Sequence, residues 1–173
     1  LLVIEYPRYS LADVALTLFG SFYIGFLLAF SLPMADLDKA FWIITLCFFI
    51  TWGSDIGGYV GGSLAGRHRL APQLSPNKTW EGAAGAVLLA TLLAVLLVQI
   101  VDLPVPVIQA AALGMLGSAA AQMGDLFESG MKRYAGVKDS GRIIPGHGGV
   151  LDRFDSFLLV LPLVYTYFYY FGQ

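Results

Sequence analysis

The chain has 173 residues, of which 57% are hydrophobic and only 13% charged, and its formal net charge is −2 at pH 7. Its mean hydropathy of +0.72 is typical of a protein dissolved in lipid rather than of a soluble domain. Because Cys47 is the one cysteine of the sequence, an internal disulfide and a cysteine-rich metal site are excluded, and the near-neutral charge indicates no class of partner.

Five apolar runs have the length of about 20 residues that a helix needs to cross a hydrocarbon core about 30 Å thick. We predict membrane-spanning helices at Leu11 to Leu32, Ala40 to about Tyr59, Gly82 to Val101, Val105 to about Ser129, and about Val150 to Phe171. Short connections join the runs, without a repeat or a low-complexity linker. The sequence therefore predicts the all-α class: a polytopic transmembrane helical bundle with polar cytoplasmic loops, forming a single integral membrane domain over 1–173.

Basic residues indicate which connections face the cytoplasm, because cytoplasmic loops carry the excess of Lys and Arg. The connections at 61–80 and 130–149 contain Lys and Arg, whereas the turns "LPMADLD" and "VDLPVP" are acidic. We therefore expect both basic connections and the amino end on the cytoplasmic side, with the carboxyl end outside.

The fourth predicted span ends in "QMGDLFESGMKR", whose polar residues recur every three or four positions. On a helix these residues share one face: Gln122, Asp125, Glu128, Ser129 and Lys132. Ionisable groups at membrane depth usually face a cavity, a partner or a substrate path. An interfacial salt bridge between Glu128 and Lys132 is the alternative, and the pattern alone leaves both open.

The fifth predicted span begins with "LDRFDS", in which Asp152, Asp155 and Ser156 fall on one helical face. Like-charged carboxylates at this spacing repel unless a positive charge lies beside them. Mg²⁺ fits, since it prefers oxygen ligands and is commonly held by one or two carboxylates plus substrate phosphates. In the alternative interpretation, the two aspartates pair with Arg153 or Lys132 and bind no ion.

Two connections have features of a phosphate site. The glycines of "PGHGG" allow backbone to approach a ligand closely, and the loop leads into a helix amino terminus, which favours anions. A flexible connector with a hydrogen-bonded His147 is the commoner explanation of such a loop. The other connection, "SPNKTWEG", offers the charge of Lys78 just before a helix, and Asp55 lies near the end of the second span as a weaker candidate ligand.

Three blocks together resemble one family. The run "SGMKRYAGVKDSGRIIPGHGGVLDRFDS" at 129–156 resembles the signature of the phosphatidate cytidylyltransferases, or CDP-diacylglycerol synthases. The blocks "SPNKTWEG" and "GDLFES" resemble two further blocks of that family, in the same order. The resemblance is close from about Asp55 to Ser156, and it implies that 1–173 is the carboxy-terminal catalytic portion of a longer fold with more amino-terminal spans.

The resemblance implies a nucleotidyltransferase of phospholipid biosynthesis that transfers CMP from CTP to phosphatidate, forming CDP-diacylglycerol and pyrophosphate. It further implies dependence on Mg²⁺, with K⁺ also associated with the family. The expected partners are CTP, phosphatidate and the bilayer but no nucleic acid, and a homodimer is left open. A bacterial plasma membrane, with the active site facing the cytoplasm, is the expected location.

With the resemblance, roles can be assigned to individual residues. The expected catalytic residues are Asp125, Asp152, Lys132 and His147. The expected substrate-binding residues are Ser75, Lys78, Ser129, Arg133, Lys138, Asp139, Gly148, Gly149 and Arg153. The expected metal ligands are Asp125, Glu128, Asp152 and Asp155.

Two other functions compete with the synthase hypothesis. An ion-coupled membrane transporter also uses buried carboxylates and glycine-broken helices, but it would distribute polar groups through the bilayer midplane. Another CTP-using enzyme, similar to a lipid kinase, would share a nucleotide loop and transfer the γ-phosphoryl group instead. Analysis of the labelled product separates the two enzymes.

Overall fold

The computed structural model describes residues 3–138, 140–141 and 149–172 and consists mainly of long helices. The helices are α1 Leu11–Ala29, α2 Ser31–Met34, α3 Ala40–Ala65, α4 Trp80–Ile100, α5 Val107–Tyr134 and α6 Leu151–Phe171. Between α3 and α4, strands β1 Arg69–Ala71 and β2 Ser75–Thr79 pair in an antiparallel hairpin. Over these described ranges, five helical segments are long and apolar enough to cross a membrane, with α1 and α2 counted as one. The prediction of an all-α polytopic bundle is confirmed.

The observed elements differ from the predicted spans in three places. The first span is interrupted at Phe30, because Pro33 lacks the N–H that would bond to the carbonyl of Ala29. Helix α3 continues beyond Tyr59 to Ala65, and α5 continues beyond Ser129 to Tyr134, so both project further toward the same end of the bundle. The connection between α3 and α4 contains the hairpin rather than an irregular loop.

Glycines allow α3 and α4 to pack with their backbones nearly touching. A Cβ atom added at Gly85 would lie 2.6 Å from the carbonyl oxygen of Gly57 and 3.2 Å from the Cα of Gly61. Close helix approach through small residues is the usual mode of packing in membranes, where no hydrophobic force drives helices together. The interface fixes the relative position of the two helices at the end that carries the hairpin.

The core lies between α3, α4, α5 and α6. Its fully buried side chains include Ile43, Leu46, Ile50, Leu158, Leu161 and Val164. Helix α1 lies against α6 and has only Leu27 buried among its residues. The four central helices are therefore the elements that position side chains at the end where α3 and α5 end and α4 and α6 begin.

Candidate active site

A cavity of about 550 Å³ opens at that end of the bundle. The hairpin and helices α3, α4, α5 and α6 all contribute to its wall. Its charged lining consists of the carboxylates Asp55, Asp125, Asp152 and Asp155 and the cations Lys78, Lys132, Arg133, Lys138 and Arg153. This balance of charges suits a polyanionic ligand accompanied by a cation.

The hairpin carries Lys78 into the cavity. Lys78 Nζ lies 2.5 Å from Asp125 Oδ2 of α5, so the ion pair connects the hairpin to the bundle. Strand β2 ends at Thr79, whose hydroxyl accepts a hydrogen bond from the Gly82 amide at 3.1 Å and caps α4. At its other side the hairpin contacts α5, since Arg133 Nε donates to the carbonyl of Leu74 at 3.4 Å.

Glu81, in the first turn of α4, holds the polypeptide that enters the hairpin. One carboxylate oxygen accepts from the amides of Arg67 and His68 at 3.1 and 3.2 Å. The other lies 2.6 Å from Nδ1 of His68. Acidic side chains are favourable at a helix amino terminus, and here the carboxylate also bonds to the backbone between α3 and β1. The position of Lys78 therefore depends on both ends of the hairpin.

Lys132 joins α5 to α6 through two carboxylates. Its ammonium forms an ion pair with Glu128, one turn earlier on α5, and donates to Asp152 Oδ1 at 2.8 Å. Glu128 is only 1% exposed. The alternative salt bridge between Glu128 and Lys132 is thus formed, and the pairing of Asp152 with Lys132 is formed as well. Lys132 also lines the cavity, so its ammonium can contact a ligand while it remains paired with the two carboxylates.

Asp152 organises the start of α6. Besides Lys132, its carboxylate accepts from the amide and hydroxyl of Ser140 at 2.9 and 2.8 Å and from the amide of Gly149 at 2.7 Å. A carboxylate with four donors is well satisfied, since it offers about four acceptor positions. The side chain therefore connects Ser140 and Gly149 with the first turn of α6.

Asp155 lies at a close contact between α5 and α6. A Cβ atom at Gly124 would meet the backbone of Asp155 at 2.5 Å, so glycine is required there for the contact. Asp155 Oδ1 accepts from the amide of Ser156 at 2.7 Å. The contact brings Asp155 and Asp125 to the same level of the cavity, with Ser129 donating to Asp125 Oδ1 at 3.4 Å.

The structure brings most of the expected site residues to one cavity. Those that line it are Lys78, Asp125, Ser129, Lys132, Arg133, Lys138, Asp152, Arg153 and Asp155. Glu128 lies behind the wall and reaches the site through Lys132, and Ser75 lies at the far end of β2 without lining the cavity. Gly149 contributes its amide to Asp152. Asp139, His147 and Gly148 lie outside the described residues.

Sequence reasoning missed two groups of residues at the site. Ser54 lines the cavity, and its hydroxyl lies 2.9 Å from that of the buried Ser118. The signal that could have identified Ser54 and Ser118 was a serine within an apolar run, in the second and fourth predicted spans respectively. The anchoring of the hairpin by Glu81 was also missed, because its partners are backbone amides that no residue pattern identifies.

The oxygen-rich lining suits Mg²⁺, although part of the expected ligand set is already committed. Among the described residues, no group of three or more His, Cys, Asp or Glu side chains is arranged to hold a metal ion. Mg²⁺ commonly needs only one or two carboxylates when substrate phosphates complete its shell. Because Asp152 is bonded to four donors, the expected metal ligands best able to receive a cation are Asp125 and Asp155.

Comparison with known proteins gives consistent matches. Residues 1–171 match the model of a family described as the cytidylyltransferase family. A phosphatidate cytidylyltransferase of Staphylococcus epidermidis is 43% identical over 162 residues, which cover 94% of this chain and 62% of that protein. The phosphatidate cytidylyltransferase of Bacillus subtilis is 39% identical over 160 residues, or 91% of this chain and 59% of the relative. The chain therefore spans about three fifths of the length of these relatives.

Proposed function

The chain belongs to the cytidylyltransferase family, and from this premise we propose that it transfers CMP from CTP to phosphatidate, forming CDP-diacylglycerol and pyrophosphate. The observation that carries the proposal is the cavity, in which cations and carboxylates from α3, α5, α6 and the hairpin surround one space at the end of a membrane-spanning bundle. Such a site can meet a soluble nucleotide and a lipid headgroup together. The names of the relatives from Staphylococcus epidermidis and Bacillus subtilis support the same reaction.

The reaction needs no nucleophile from the protein. A phosphate oxygen of phosphatidate attacks the α-phosphorus of CTP, and the bond from that phosphorus to the bridging oxygen of the β-phosphate breaks, which releases pyrophosphate. Catalysis of such a transfer depends on alignment of the reactants and on electrostatic stabilisation. The charged side chains that line the cavity can both align the reactants and stabilise the charge that develops during the transfer.

We assign the phosphates to cations from two parts of the chain. Lys132, Arg133 and Lys138 come from α5 and the residues after it, and Lys78 comes from the hairpin. Lys132 is held by Glu128 and Asp152 before any ligand binds. Preorganised charges of this kind need little rearrangement during the reaction, which is the main source of electrostatic catalysis.

The proposal includes Mg²⁺, with K⁺ as a second cation. Asp125 and Asp155 would hold the divalent ion, which when bound neutralises phosphate charge and stabilises the leaving pyrophosphate. Asp152 and Glu128, which were also expected as metal ligands, are proposed instead to position Lys132, since both carboxylates pair with its ammonium. His147, Gly148 and Asp139 remain proposed members of the nucleotide loop.

The protein is an integral membrane protein, and its described residues include five apolar helical segments long enough to cross a membrane. We propose a bacterial plasma membrane with the cavity facing the cytoplasm. The positive charges of the hairpin and of the end of α5 support this orientation, because cytoplasmic connections carry the excess of Lys and Arg. The acyl chains of phosphatidate would stay in the bilayer while the headgroup reaches the cavity.

The test uses the full-length protein reconstituted with phosphatidate, Mg²⁺ and K⁺. In parallel reactions CTP is labelled at the α-phosphate or at the γ-phosphate, and wild type is compared with Asp125→Asn. Lipid labelled only from the α-phosphate, with loss of at least about 100-fold in the variant, is the expected result. The exposed Asp38 at the opposite end of the bundle supplies the matched control, Asp38→Asn.

Label that enters lipid from the γ-phosphate would show a kinase and refute the proposed transfer. Absence of labelled lipid from a folded wild-type protein would also refute it, and ion-flux assays would then test the transporter hypothesis.

A further inference from the structure

The deepest part of the cavity is uncharged, in contrast to its walls and mouth. We define the floor of the cavity as the lining residue of each helix that lies farthest from the mouth: Ser54, Ala86, Gln122 and Ser156. Carboxylates from α3, α5 and α6 lie directly above these residues, and the Lys and Arg side chains of α5 lie nearer the mouth. The floor therefore offers no charge to a phosphate and suits a neutral, polar part of a ligand.

The carboxamide of Gln122 has a fixed orientation. Its Nε2 donates to the carbonyl oxygen of Ala83 at 3.4 Å and to the hydroxyl of Ser118 at 3.2 Å. Because a backbone carbonyl can only accept a hydrogen bond, the amide nitrogen must face α4 and cannot exchange places with the oxygen. Ser118 is fully buried and bonded to Ser54, which holds this arrangement in place.

This orientation leaves Oε1 of Gln122 as an acceptor at the cavity. No donor among the described residues bonds to this oxygen. Because the oxygen is nevertheless absent from the set of buried polar atoms without a partner, it is accessible from the cavity. An acceptor that is fixed by two donated bonds and open to a cavity selects ligands that present an N–H or O–H group.

The level of Gln122 matches the position of a nucleobase when the phosphates bind at the mouth. Gln122 and Lys132 both line the cavity, and ten residues of α-helix separate them by about 15 Å along the axis. An extended nucleoside triphosphate can bridge this span, with its α-phosphate between these two levels. The neutral floor would then hold the base, while the charged levels hold the phosphates.

We propose that Gln122 determines base specificity by accepting a hydrogen bond from the 4-amino group of cytosine. The inference rests on the proposed function, because it takes CTP as the nucleotide. Cytosine presents an amino donor at position 4, where uracil presents a carbonyl acceptor. The Gln122 oxygen therefore pairs with cytosine and opposes the oxygen of uracil, which distinguishes CTP from UTP.

The experiment compares kcat/KM for CTP and UTP in lipid-reconstituted full-length protein. Gln122→Met removes the acceptor while keeping a similar length, and Gln122→Glu keeps an acceptor. Gln109 lies on the same helix near the opposite end of the bundle, where it accepts from Tyr167, so Gln109→Met is the matched control. The ratio of the two kcat/KM values is independent of the fraction of protein that folds.

Wild type and Gln109→Met are expected to favour CTP. Gln122→Met is expected to lower kcat/KM for CTP about tenfold, whereas kcat/KM for UTP should stay the same or rise, because the oxygen that opposes uracil is removed. Gln122→Glu keeps acceptor oxygens but loses the bond donated to the Ala83 carbonyl, so it should keep more of the preference for CTP than Gln122→Met. An equal loss of kcat/KM for both nucleotides in Gln122→Met, or a wild type that uses both equally, would overturn this inference and leave the proposed function standing.

If Gln122→Met does not accumulate in membranes, Gln122→Glu provides the test instead. A ratio of kcat/KM for CTP to kcat/KM for UTP near one in that variant would overturn the inference. A wild type that uses neither nucleotide would overturn the proposed function and this inference with it.

Discussion

Replacing Gly85 by alanine should separate α3 from α4 and destabilise the protein. The added Cβ would lie 2.6 Å from the Gly57 carbonyl oxygen and 3.2 Å from the Gly61 Cα. Both contacts are backbone atoms of a neighbouring helix, which cannot rotate away as the end of a side chain can. The helices must therefore move apart along much of their interface.

The size of the effect follows from two opposing contributions. An ordinary carbon–oxygen contact is about 3.3 Å or longer, so the helices must separate by about 0.7 Å. A gap of this size forfeits about a quarter to a half of the dispersion energy of the contacts it opens, and overpacking costs about 1–3 kcal/mol. Because both contacts are with rigid backbone atoms, the cost here lies in the upper part of that range, about 2–3 kcal/mol. Alanine favours helix over glycine by about 1 kcal/mol, which leaves a net loss of about 1–2 kcal/mol.

Thermal unfolding in detergent micelles measures this loss. Gly20→Ala is the matched control, because a Cβ at Gly20 of α1 meets no atom within 4 Å. We expect Gly85→Ala to lower Tm by about 2–8 °C and Gly20→Ala to leave Tm unchanged or raise it. A Tm of Gly85→Ala equal to that of wild type, or equal losses in both variants, would refute the packing argument.

Three further predictions concern the cavity. Lys78→Met should lower kcat/KM for CTP about tenfold or more, because a charged hydrogen-bond donor to phosphate is lost; an unchanged value would exclude phosphate contact. Asp152→Asn should lower Tm and activity, because the ion pair with Lys132 is lost, whereas Asp38→Asn should change neither. Glu81→Gln should increase tryptic cleavage after Arg67, whose amide bonds to that carboxylate; equal cleavage of variant and wild type would contradict this role.

The helical bundle could be predicted because its main signal is local. An apolar run long enough to cross a membrane needs no information from distant residues, and all five runs correspond to helices. The hairpin was not predicted, because β1 has only three residues and β2 contains Pro76 and lacks alternating apolar residues. Its stability depends instead on contacts with Glu81 and Arg133.

The charged residues of the site could be predicted as groups but not as pairs. Helical spacing correctly placed Asp125 and Lys132 at one end of the bundle, since residues three or four apart share a helix face. The pairing of Lys78 with Asp125 depends on the hairpin and on the packing of α4 against α5, and no local pattern contains that information. The donors to Asp152 were unpredictable for the same reason, because two of them are backbone amides.

The ion pair between Lys78 and Asp125 links the uptake of anions to the uptake of cations. A phosphate that binds the ammonium of Lys78 competes with Asp125, whose carboxylate lies 2.5 Å from it. The displaced carboxylate is then free to receive a positive ion from solution. By thermodynamic reciprocity, the cation must increase the affinity for phosphate by the same factor. Under the proposed function the two ligands would therefore bind interdependently, and nucleotide affinity should rise with the concentration of the cation that Asp125 accepts.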